Sequence, residues 1–398
     1  MGSTEPVSDW ADDFDIFDPA FVADPYPVWS QLRPGCPVAH TERWGGSWMP
    51  SRYEDVAAIA HDVEHFSSSE ILVAPPVEDG PDDGIKAPPI TSDPPEHHWA
   101  RRLILPAFSP KSVARYEPYT RELCRSLADG IVRAGRGDAA EGYAQQIPVR
   151  VIARMLGVDE GRADEFTGWV RGVLEFGALD PERRKAARQS IIGFFTEQVE
   201  DRRRSPKDDL LTELLAAEVD GQPVPERHVI GTCNLILVAG IDTTWSAIGS
   251  AVWHLATHPE DRERLVAEAQ LMPTAVEELL RAYAPVTMAR LVTEDVEVRG
   301  QCIHAGDKVL MAFPAANRDP EAFPDADRVL LDRAENRHVA FGVGIHRCAG
   351  SNLARMELRV ALEEWLRVIP EFRLADGEEV TWAGGQVRGP RHLPIAVG

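Results

Sequence analysis

Hydrophobic positions recur at helical spacing through most of the chain between His97 and about Pro370. Apolar residues three and four positions apart place one face of a helix against a core. Short β-like stretches lie around Trp44 to Met49, around Val296 to Val309 and in the last twenty residues. The pattern predicts a mainly α protein with small β inserts, whose helices cover residues 112–133, 149–156, 180–204, 225–256, 273–283 and 349–367.

The segment 229–256 is almost continuously apolar and reads VIGTCNLILVAGIDTTWSAIGSAVWHLA. Its length would suffice for a membrane span. Polar residues interrupt it, however, and an ionisable group such as Asp242 is costly at the centre of a bilayer. We therefore expect a helix that is buried on all sides in the middle of a large domain.

One long loop is predicted within an otherwise compact chain. Residues 67–95 are rich in Pro, Gly, Ser and Asp and include PPVEDGPDDG. Long loops in compact domains are usually functional or disordered. There is no repeat of fixed period, and we expect a single domain over residues 1–398.

Charge and cysteine content exclude several classes of protein. The 398 residues carry a net charge of −22, which disfavours nucleic acids and anionic membranes as partners. Five cysteines stand far apart without a CxxC pair, so neither a disulfide framework nor a zinc site is indicated. The acidic N-terminus has no apolar signal region, which predicts a cytoplasmic protein.

The most specific motif is FGVGIHRCAG at residues 341–350. It is a glycine-rich loop that brings Cys348 to the start of a predicted helix. Backbone N–H groups and the partial positive charge of a helix N-terminus favour the thiolate, the form of cysteine that binds metals. Glycines in the loop would allow the backbone to approach a flat cofactor closely.

A second motif, AGIDTT at residues 239–244, lies inside the long apolar helix. Glycine costs about 1 kcal/mol relative to alanine in a helix interior, and a buried carboxylate is costly unless it is paired. Gly240, Thr243 and Thr244 share one face. A threonine hydroxyl that bonds back to a carbonyl could open a groove for a small ligand. A packing notch between two helices is the alternative explanation for Gly240.

With these two motifs the chain resembles the cytochrome P450 family over nearly its whole length. The resemblance implies a triangular helical prism with a small β-rich lobe and a long central helix over the heme. It also implies one heme b per chain, with Cys348 as the iron ligand. Phe341 would pack beside the sulfur, His346 would bond a heme propionate, and Gly350, Ala239 and Gly240 would also contact the heme.

The resemblance assigns roles to further residues. Thr243 would help to activate bound O2, and Asp242 with water would relay protons for cleavage of the O–O bond. The heme propionates would be bound by His97 and Arg101 of a HxxxR motif and by Arg290. The family's structural network would comprise Glu278 and Arg281 of ELLR together with Arg328, although ExxR alone is more often a solvated surface pair.

The implied function is a monooxygenase that inserts one oxygen atom from O2 into an apolar or aromatic small molecule, by hydroxylation, O-demethylation or epoxidation. A peroxygenase driven by H2O2 and a heme protein that binds ligands without turnover are the alternatives, and the intact Asp242 and Thr243 argue against both. Aliphatic residues are expected to line the substrate pocket: Leu72, Leu235, Val238, Val286, Thr287 and Val387.

The chain shows no flavin or iron–sulfur module, so electrons would come from a ferredoxin or flavodoxin and its reductase. Basic residues in or near the motifs could dock such an acidic partner. They are Arg101, Arg102, Lys111, Arg115, Arg337, Arg347 and Arg355. Some of these could instead neutralise heme propionates or be solvated.

Overall fold

The computed structural model describes residues 5–74 and 85–398 of the chain. These residues divide into two compact units. Unit 1 contains residues 5–74, 268–348 and 381–390, and unit 2 contains residues 85–267, 349–380 and 391–398. The single domain over residues 1–398 stays a prediction.

Helices account for most of the regular structure, as the hydrophobic pattern predicts. The α-helices of the described residues are α1 Pro19–Ala23, α2 Tyr26–Gly35, α3 Tyr53–His61, α4 Glu96–Ile104, α5 Pro110–Val113, α6 Glu117–Ala134, α7 Gln146–Leu156, α8 Ala163–Leu174, α9 Pro181–Arg204, α10 Leu210–Leu215, α11 Glu226–Thr257, α12 Pro259–Ala267, α13 Met272–Ala282, α14 Phe313–Ala316 and α15 Ser351–Val368.

The strands are short. They are β1 Val38–Thr41, β2 Ser47–Pro50, β3 Phe66–Ser67, β4 Arg136–Asp138, β5 Glu218–Val219, β6 Gln222–Pro223, β7 Thr287–Val292, β8 Val296–Val298, β9 Gln301–Ile303, β10 Lys308–Ala312, β11 Phe372–Leu374, β12 Thr381–Ala383, β13 Gly389–His392 and β14 Pro394–Val397.

Unit 1 is built on a sheet with the strand order β1-β2-β10-β7-β3. β10 and β7 are antiparallel, with Leu310 opposite Ala289. Alternate residues of a strand point to opposite faces. Two apolar clusters accordingly flank the sheet, one around Trp29, Met49 and Leu310 and the other around Val56, Val309 and Met311.

Unit 2 packs its helices around α11, which contacts α7, α8, α9 and α15. α6 lies along α15, and Glu364 of α15 accepts hydrogen bonds from Arg121, Arg125 and Arg367 at 2.8–3.1 Å. Burial alone would raise the pKa of Glu364, but these arginines lower it to about 2. The pairing is therefore a fixed electrostatic link between the two helices.

The helix predicted over residues 112–133 is two helices, α5 and α6. Ser109 caps α5 by accepting a hydrogen bond from the Ser112 N–H at 3.3 Å. Pro118 stands in the first turn of α6. Proline fits only the first turn of a helix because it lacks an N–H donor, so the chain begins a new helix there.

The apolar segment predicted to be a buried core helix is α11. By length and hydropathy it could cross a membrane, yet 72% of its most apolar window is buried inside the protein. Such burial is typical of a core helix. The prediction of a core helix is confirmed, but burial on all sides is not, because one strip of α11 is only half-buried.

Glu357 of α15 is a buried acid. Among the described residues, no charged neighbour contributes to the shift of its pKa. Its side chain is 1% exposed, and among those residues its Oε1 atom has no hydrogen-bond partner. Burial raises the pKa of Glu357 from 4.5 to about 8. The folded protein therefore holds a neutral carboxylic acid at neutral pH, whereas the unfolded chain ionises it.

We expect Glu357→Gln to stabilise the protein at pH 7. A pKa raised on folding contributes stability that is fully present below the unfolded value of 4.5 and is lost as the pH rises towards 8. The neutral amide removes this loss, which amounts to about 3 kcal/mol at pH 7. Urea unfolding between pH 4 and pH 8.5 measures the effect. Glu371→Gln is the control because Glu371 is exposed, and equal pH dependence in both variants would contradict the prediction.

Candidate functional site

The loop that carries Cys348 is held by its own backbone. The Cys348 N–H donates to the Phe341 carbonyl at 2.7 Å, and the Arg347 N–H donates to the Gly344 carbonyl at 3.2 Å. The Cys348 side chain is exposed, and Ser351, three residues further on, begins α15. The predicted arrangement of a glycine-rich loop that ends in a cysteine before a helix is confirmed.

Gly344 is required by this loop. Its φ is +74°, in the left-handed region that favours glycine. A Cβ at this position would lie 2.4 Å from the Ala60 carbonyl oxygen, so the loop passes directly against the end of α3. A side chain at residue 344 would push the loop away from α3.

Cys348 differs from the other four cysteines in its surroundings. Cys124 and Cys233 are buried, and burial raises the pKa of the Cys124 thiol to about 12. Burial also raises the pKa of the half-buried Cys36, and Cys302 is exposed on β9. Only Cys348 combines exposure with the glycine-rich loop, so it is the thiol suited to bind a metal.

Two other predicted residues lie in this loop, and a third, Arg290, lies elsewhere in unit 1. His346 Nε2 is 2.9 Å from the Ser68 hydroxyl oxygen. The Phe341 ring lies 6.0 Å from the ring of His338. Arg290 lies on β7, is 4% exposed and donates to its neighbouring Ala289 carbonyl at 2.8 Å. Their roles at a heme stay predictions.

In unit 2 the AGIDTT segment forms the middle of α11. The Thr243 hydroxyl donates to the Ala239 carbonyl at 2.8 Å. This is the bond from a threonine to a carbonyl that the sequence predicts. Leu235, Val238, Ala239 and Thr243 are only half-buried, whereas most of the helix is buried. They form a partly exposed apolar strip with one hydroxyl.

Gly240 has a packing reason of its own. A Cβ at this position would lie 2.6 Å from Ile152 Cδ1 of α7, and Ile152 is itself 1% exposed. The glycine therefore allows α7 and α11 to approach closely, which is the packing notch that the sequence leaves open. Contact of the Gly240 backbone with a cofactor stays a prediction.

Asp242 is buried and paired with Arg391, a residue that sequence reasoning missed. Arg391 Nη2 donates to Asp242 Oδ1 at 2.7 Å, and Nη1 donates to the Ser246 hydroxyl at 3.0 Å. Arg391 Nε donates to Glu175 Oε2 at 2.9 Å. Its guanidinium also lies 4.2 Å from the centre of the Trp245 ring. One arginine therefore holds two carboxylates together.

The two carboxylates around Arg391 titrate differently. Burial raises the pKa of Asp242, and the nearby Arg391 opposes this shift without reversing it. Burial would also raise the pKa of Glu175, but hydrogen bonds from Arg171 and Arg391 lower it. Among the described residues, Asp242 Oδ2 has no hydrogen-bond partner. Asp242 thus has one oxygen held by Arg391 and a second, buried oxygen without a partner among the described residues.

His97 and Arg101 lie one turn apart on α4 of unit 2. His97 is 1% exposed and Arg101 is half-buried. A buried histidine and an arginine on one helix face can together bind a carboxylate.

Gly350 caps α15, and its carbonyl accepts from the Ala354 N–H at 3.0 Å.

Glu278 and Arg281 form a fully buried ion pair rather than a surface pair. Arg281 Nε and Nη2 donate to the two Glu278 oxygens at 2.8 Å. The third member of the network is Arg333, whose Nε donates to Glu278 at 2.9 Å. The prediction of Arg328 is wrong, because its side chain is exposed and only its carbonyl accepts from Arg281. Arg333 stands five residues further along the same segment, and only the folded path of that segment decides between them.

The predicted pocket residues of unit 1 meet at Gln386. Val286 and Val387 form an antiparallel bridge, and the Thr287 N–H donates to the Gln386 carbonyl at 3.1 Å. The Gln386 side chain bonds the backbone on both sides of Leu72. Leu72, Val286, Thr287 and Val387 are therefore brought together within unit 1, whereas Leu235 and Val238 belong to α11 of unit 2.

Three of the motifs described above lie in a part of the chain that matches a known protein family. The sequence model of the family Cytochrome P450 matches residues 176–379. This range contains the AGIDTT segment, the ELLR segment and Cys348.

Two curated proteins and a solved structure are similar over most of the chain. Mycinamicin IV hydroxylase/epoxidase of Micromonospora griseorubida is 36% identical, over 88% of this chain and 89% of that protein. Vitamin D(3) 25-hydroxylase of Pseudonocardia autotrophica is 34% identical, over 96% of each chain. The structure of cytochrome P450 CYP109Q5 from Chondromyces apiculatus superposes with a TM-score of 0.87 at 34% identity, covering 97% of this chain and 98% of that one.

Proposed function

This chain belongs to the cytochrome P450 family and has the fold of that family, and from that premise we propose the reaction that it performs. It is a heme monooxygenase that acts on small organic molecules. We infer that it inserts one atom of O2 into an apolar or aromatic substrate, with electrons from a separate ferredoxin or flavodoxin. The observation that carries this proposal is the glycine-rich loop with the exposed Cys348.

The residues present fit a heme. Gly344 lets the loop run against α3 without a side chain, and Cys348 offers a thiolate. Burial of Arg290 and His97 keeps a guanidinium and an imidazole in the protein interior, where the carboxylates of a heme would pair with them. We propose one heme b per chain, ligated by Cys348, with Arg290, His97, Arg101 and His346 at its propionates.

Bound heme supplies the oxidation chemistry, and thiolate ligation favours cleavage of the O–O bond. The protein's share is to position the substrate and to deliver protons. Asp242 can hold a proton on Oδ2 while Arg391 fixes Oδ1, and burial favours the protonated acid. Thr243 can pass a hydrogen bond onward, because its hydroxyl accepts a bond while donating to Ala239.

The substrate proposed is apolar. The half-buried strip Leu235, Val238 and Ala239 is aliphatic, and so are Leu72 and Val286 of unit 1. Two relatives are named for mycinamicin IV and vitamin D3. We propose hydroxylation, epoxidation or O-demethylation of a molecule with a comparably large apolar part.

Turnover with isotopically heavy O2 tests the proposal. The heme-loaded protein is incubated with NADPH, a ferredoxin and its reductase, using vitamin D3 and mycinamicin IV as probes. Mass spectrometry should show one heavy oxygen atom in the product. Product formed with H2O2 but never with O2 would overturn the proposal in favour of a peroxygenase, and no product under either condition would favour a heme protein without turnover.

The electron donor is proposed to dock on exposed cations of unit 2. Arg102, Lys111 and Arg115 are exposed. α5, which carries Lys111, packs against α15. Such a patch on a chain of net charge −22 attracts an acidic partner.

We also infer a cytoplasmic location, in keeping with the burial of α11.

We expect the double substitution Lys111→Glu and Arg115→Glu to slow reduction by ferredoxin about tenfold at low salt, because opposite charges steer association. Heme content should not change. Stopped-flow reduction at increasing salt measures the effect. Arg204→Glu, at the exposed end of α9, is the matched control. If both proteins are reduced at the wild-type rate, this docking surface is wrong.

A further inference from the structure

Gln386 is a buried polar residue that the reaction does not use directly. It lies in unit 1 between β12 and β13, and it is 5% exposed. Its side-chain oxygen accepts from the Val73 N–H at 2.9 Å, and its side-chain nitrogen donates to the Ile71 carbonyl at 3.3 Å. Both bonds therefore hold backbone groups of one short segment.

The geometry of these two bonds is that of strand pairing. In a parallel sheet the C=O of one residue accepts from the residue after its partner, and the N–H of the same residue donates to the carbonyl of the residue before that partner. The Gln386 amide does the same around Leu72. It thus takes the place of a strand beside the segment Ile71–Val73. Among the described residues, the other hydrogen bond to the backbone of this segment runs from the Ala289 N–H to the Ile71 carbonyl at 3.0 Å.

Leu72 is oriented by this clamp. Successive residues of an extended segment point to opposite faces. Val73 packs into the apolar cluster around Trp29 and Leu310, whereas the half-buried Leu72 is not among the described residues that pack against that cluster. The direction of Leu72 therefore depends on the register that Gln386 holds.

The backbone of Gln386 reaches the other two predicted pocket segments of unit 1. Its carbonyl accepts from the Thr287 N–H at 3.1 Å, and the next residue, Val387, bridges to Val286. The Arg388 N–H donates to the Pro285 carbonyl at 2.8 Å. One residue consequently ties together three segments that are distant in sequence.

We propose that Gln386 is a positioning residue that determines substrate specificity. It fixes Leu72 relative to three other residues that line the proposed pocket, Val286, Thr287 and Val387. These four side chains form an apolar wall, and the shape of that wall selects substrates by their width. This inference rests on the proposed function, because it takes these four residues as substrate-lining. Gln386 itself acts through its neighbours.

Two substitutions separate the clamp from a general effect on folding. Gln386→Leu keeps the volume and removes both bonds. Gln386→Glu keeps the acceptor for Val73 but sets an oxygen against the Ile71 carbonyl when ionised. When protonated, the carboxyl group can again accept and donate. Its effects should therefore reverse at acid pH, whereas a merely structural disturbance would not reverse. Gln301→Leu, at an exposed position of β9, is the control.

The first measurement is hydrogen exchange of the Val73 amide, which needs neither heme nor turnover. Loss of the bond from its N–H should raise the exchange rate on the order of tenfold in Gln386→Leu. In ionised Gln386→Glu the rate should also rise, because repulsion between the carboxylate and the Ile71 carbonyl displaces the segment that carries Val73. Protonation should restore protection in the glutamate variant. Unchanged Val73 exchange in both variants would overturn the clamp.

The second measurement is binding of naphthalene and pyrene, two hydrocarbons of different width, to the heme-loaded protein. We expect the ratio of their dissociation constants to fall several-fold towards one in both variants, while Gln301→Leu keeps the wild-type ratio. Faster Val73 exchange with an unchanged ratio would overturn the specificity role. If the wild-type protein bound neither probe while Val73 exchange still responded, the proposed function would fail and the clamp would stand.

Discussion

Asp242→Asn should lower the rate of product formation from O2 by about two orders of magnitude, the usual contribution of a positioned acid. The amide keeps a bond to Arg391 but cannot give up a proton from Oδ2. Heme content should stay at the wild-type level. The observed side-chain partner of Asp242 is Arg391, which also donates to the Ser246 hydroxyl of α11, and the amide can keep the bond to Arg391. The measurement is the initial rate of product formation with saturating NADPH, ferredoxin and reductase.

Turnover driven by H2O2 is the internal control for this variant. Peroxide brings its own protons, so Asp242→Asn should retain most of that activity. Equal loss with O2 and with peroxide would show that the substitution damages the site as a whole. If the variant has wild-type activity with both O2 and peroxide, Asp242 does not deliver protons in this reaction.

Arg391 gives a second test of the same carboxylate. Arg391→Gln removes the charge that opposes the burial of Asp242, so the pKa of Asp242 should rise further. The descending limb of the pH–rate profile should then move to higher pH, because the acid keeps its proton longer. Arg391→Lys should largely restore the wild-type profile, since it retains the charge.

Arg281→Leu should destabilise the protein by about 3–5 kcal/mol, the usual cost of breaking a buried ion pair, even though Glu278 keeps its bond from Arg333. Both side chains of the Glu278–Arg281 pair are 0% exposed. Arg281 also donates to the carbonyls of Asn317 and Ala326 at 2.8 Å, and these acceptors would lose their partner. Urea unfolding measures the change.

A matched control has the same spacing on the surface. Arg162 and Glu165 form an ion pair three residues apart, with side chains 36% and 43% exposed. Arg162→Leu should change stability by less than about 1 kcal/mol, as exposed pairs usually do. If the two substitutions cost the same, burial does not govern the Glu278–Arg281 network.

Features that depend on neighbouring residues in sequence could be predicted. The length and apolar character of α11, the Thr243 bond to Ala239 and the loop before α15 follow from local patterns. Composition alone could not separate a surface ExxR pair from a buried one, and the family resemblance was needed to expect a network there. Local patterns predict elements because their physical causes lie within a few residues.

Long-range partners could not be predicted. Arg391 bonds to Asp242, which lies 149 positions away in the sequence. Gln386 bonds to Ile71, which lies 315 positions away. Arginines are frequent in this chain, so nothing singles out Arg391, and the choice of Arg333 over Arg328 depends on the path of one loop. For Gln386 the only available signal is a polar residue beside the apolar Val387. These pairings are decided by tertiary packing.

The central claim is that Cys348 ligates a heme iron as thiolate, and the absorption spectrum of the reduced protein under carbon monoxide tests it most directly. The account predicts a Soret band shifted to the red, as thiolate-ligated ferrous heme gives with carbon monoxide, and its loss in Cys348→Ala. Cys302→Ala, at the other exposed cysteine, should keep the band. A blue-shifted band in the wild-type protein, or no heme absorbance in protein supplied with heme, would contradict the claim.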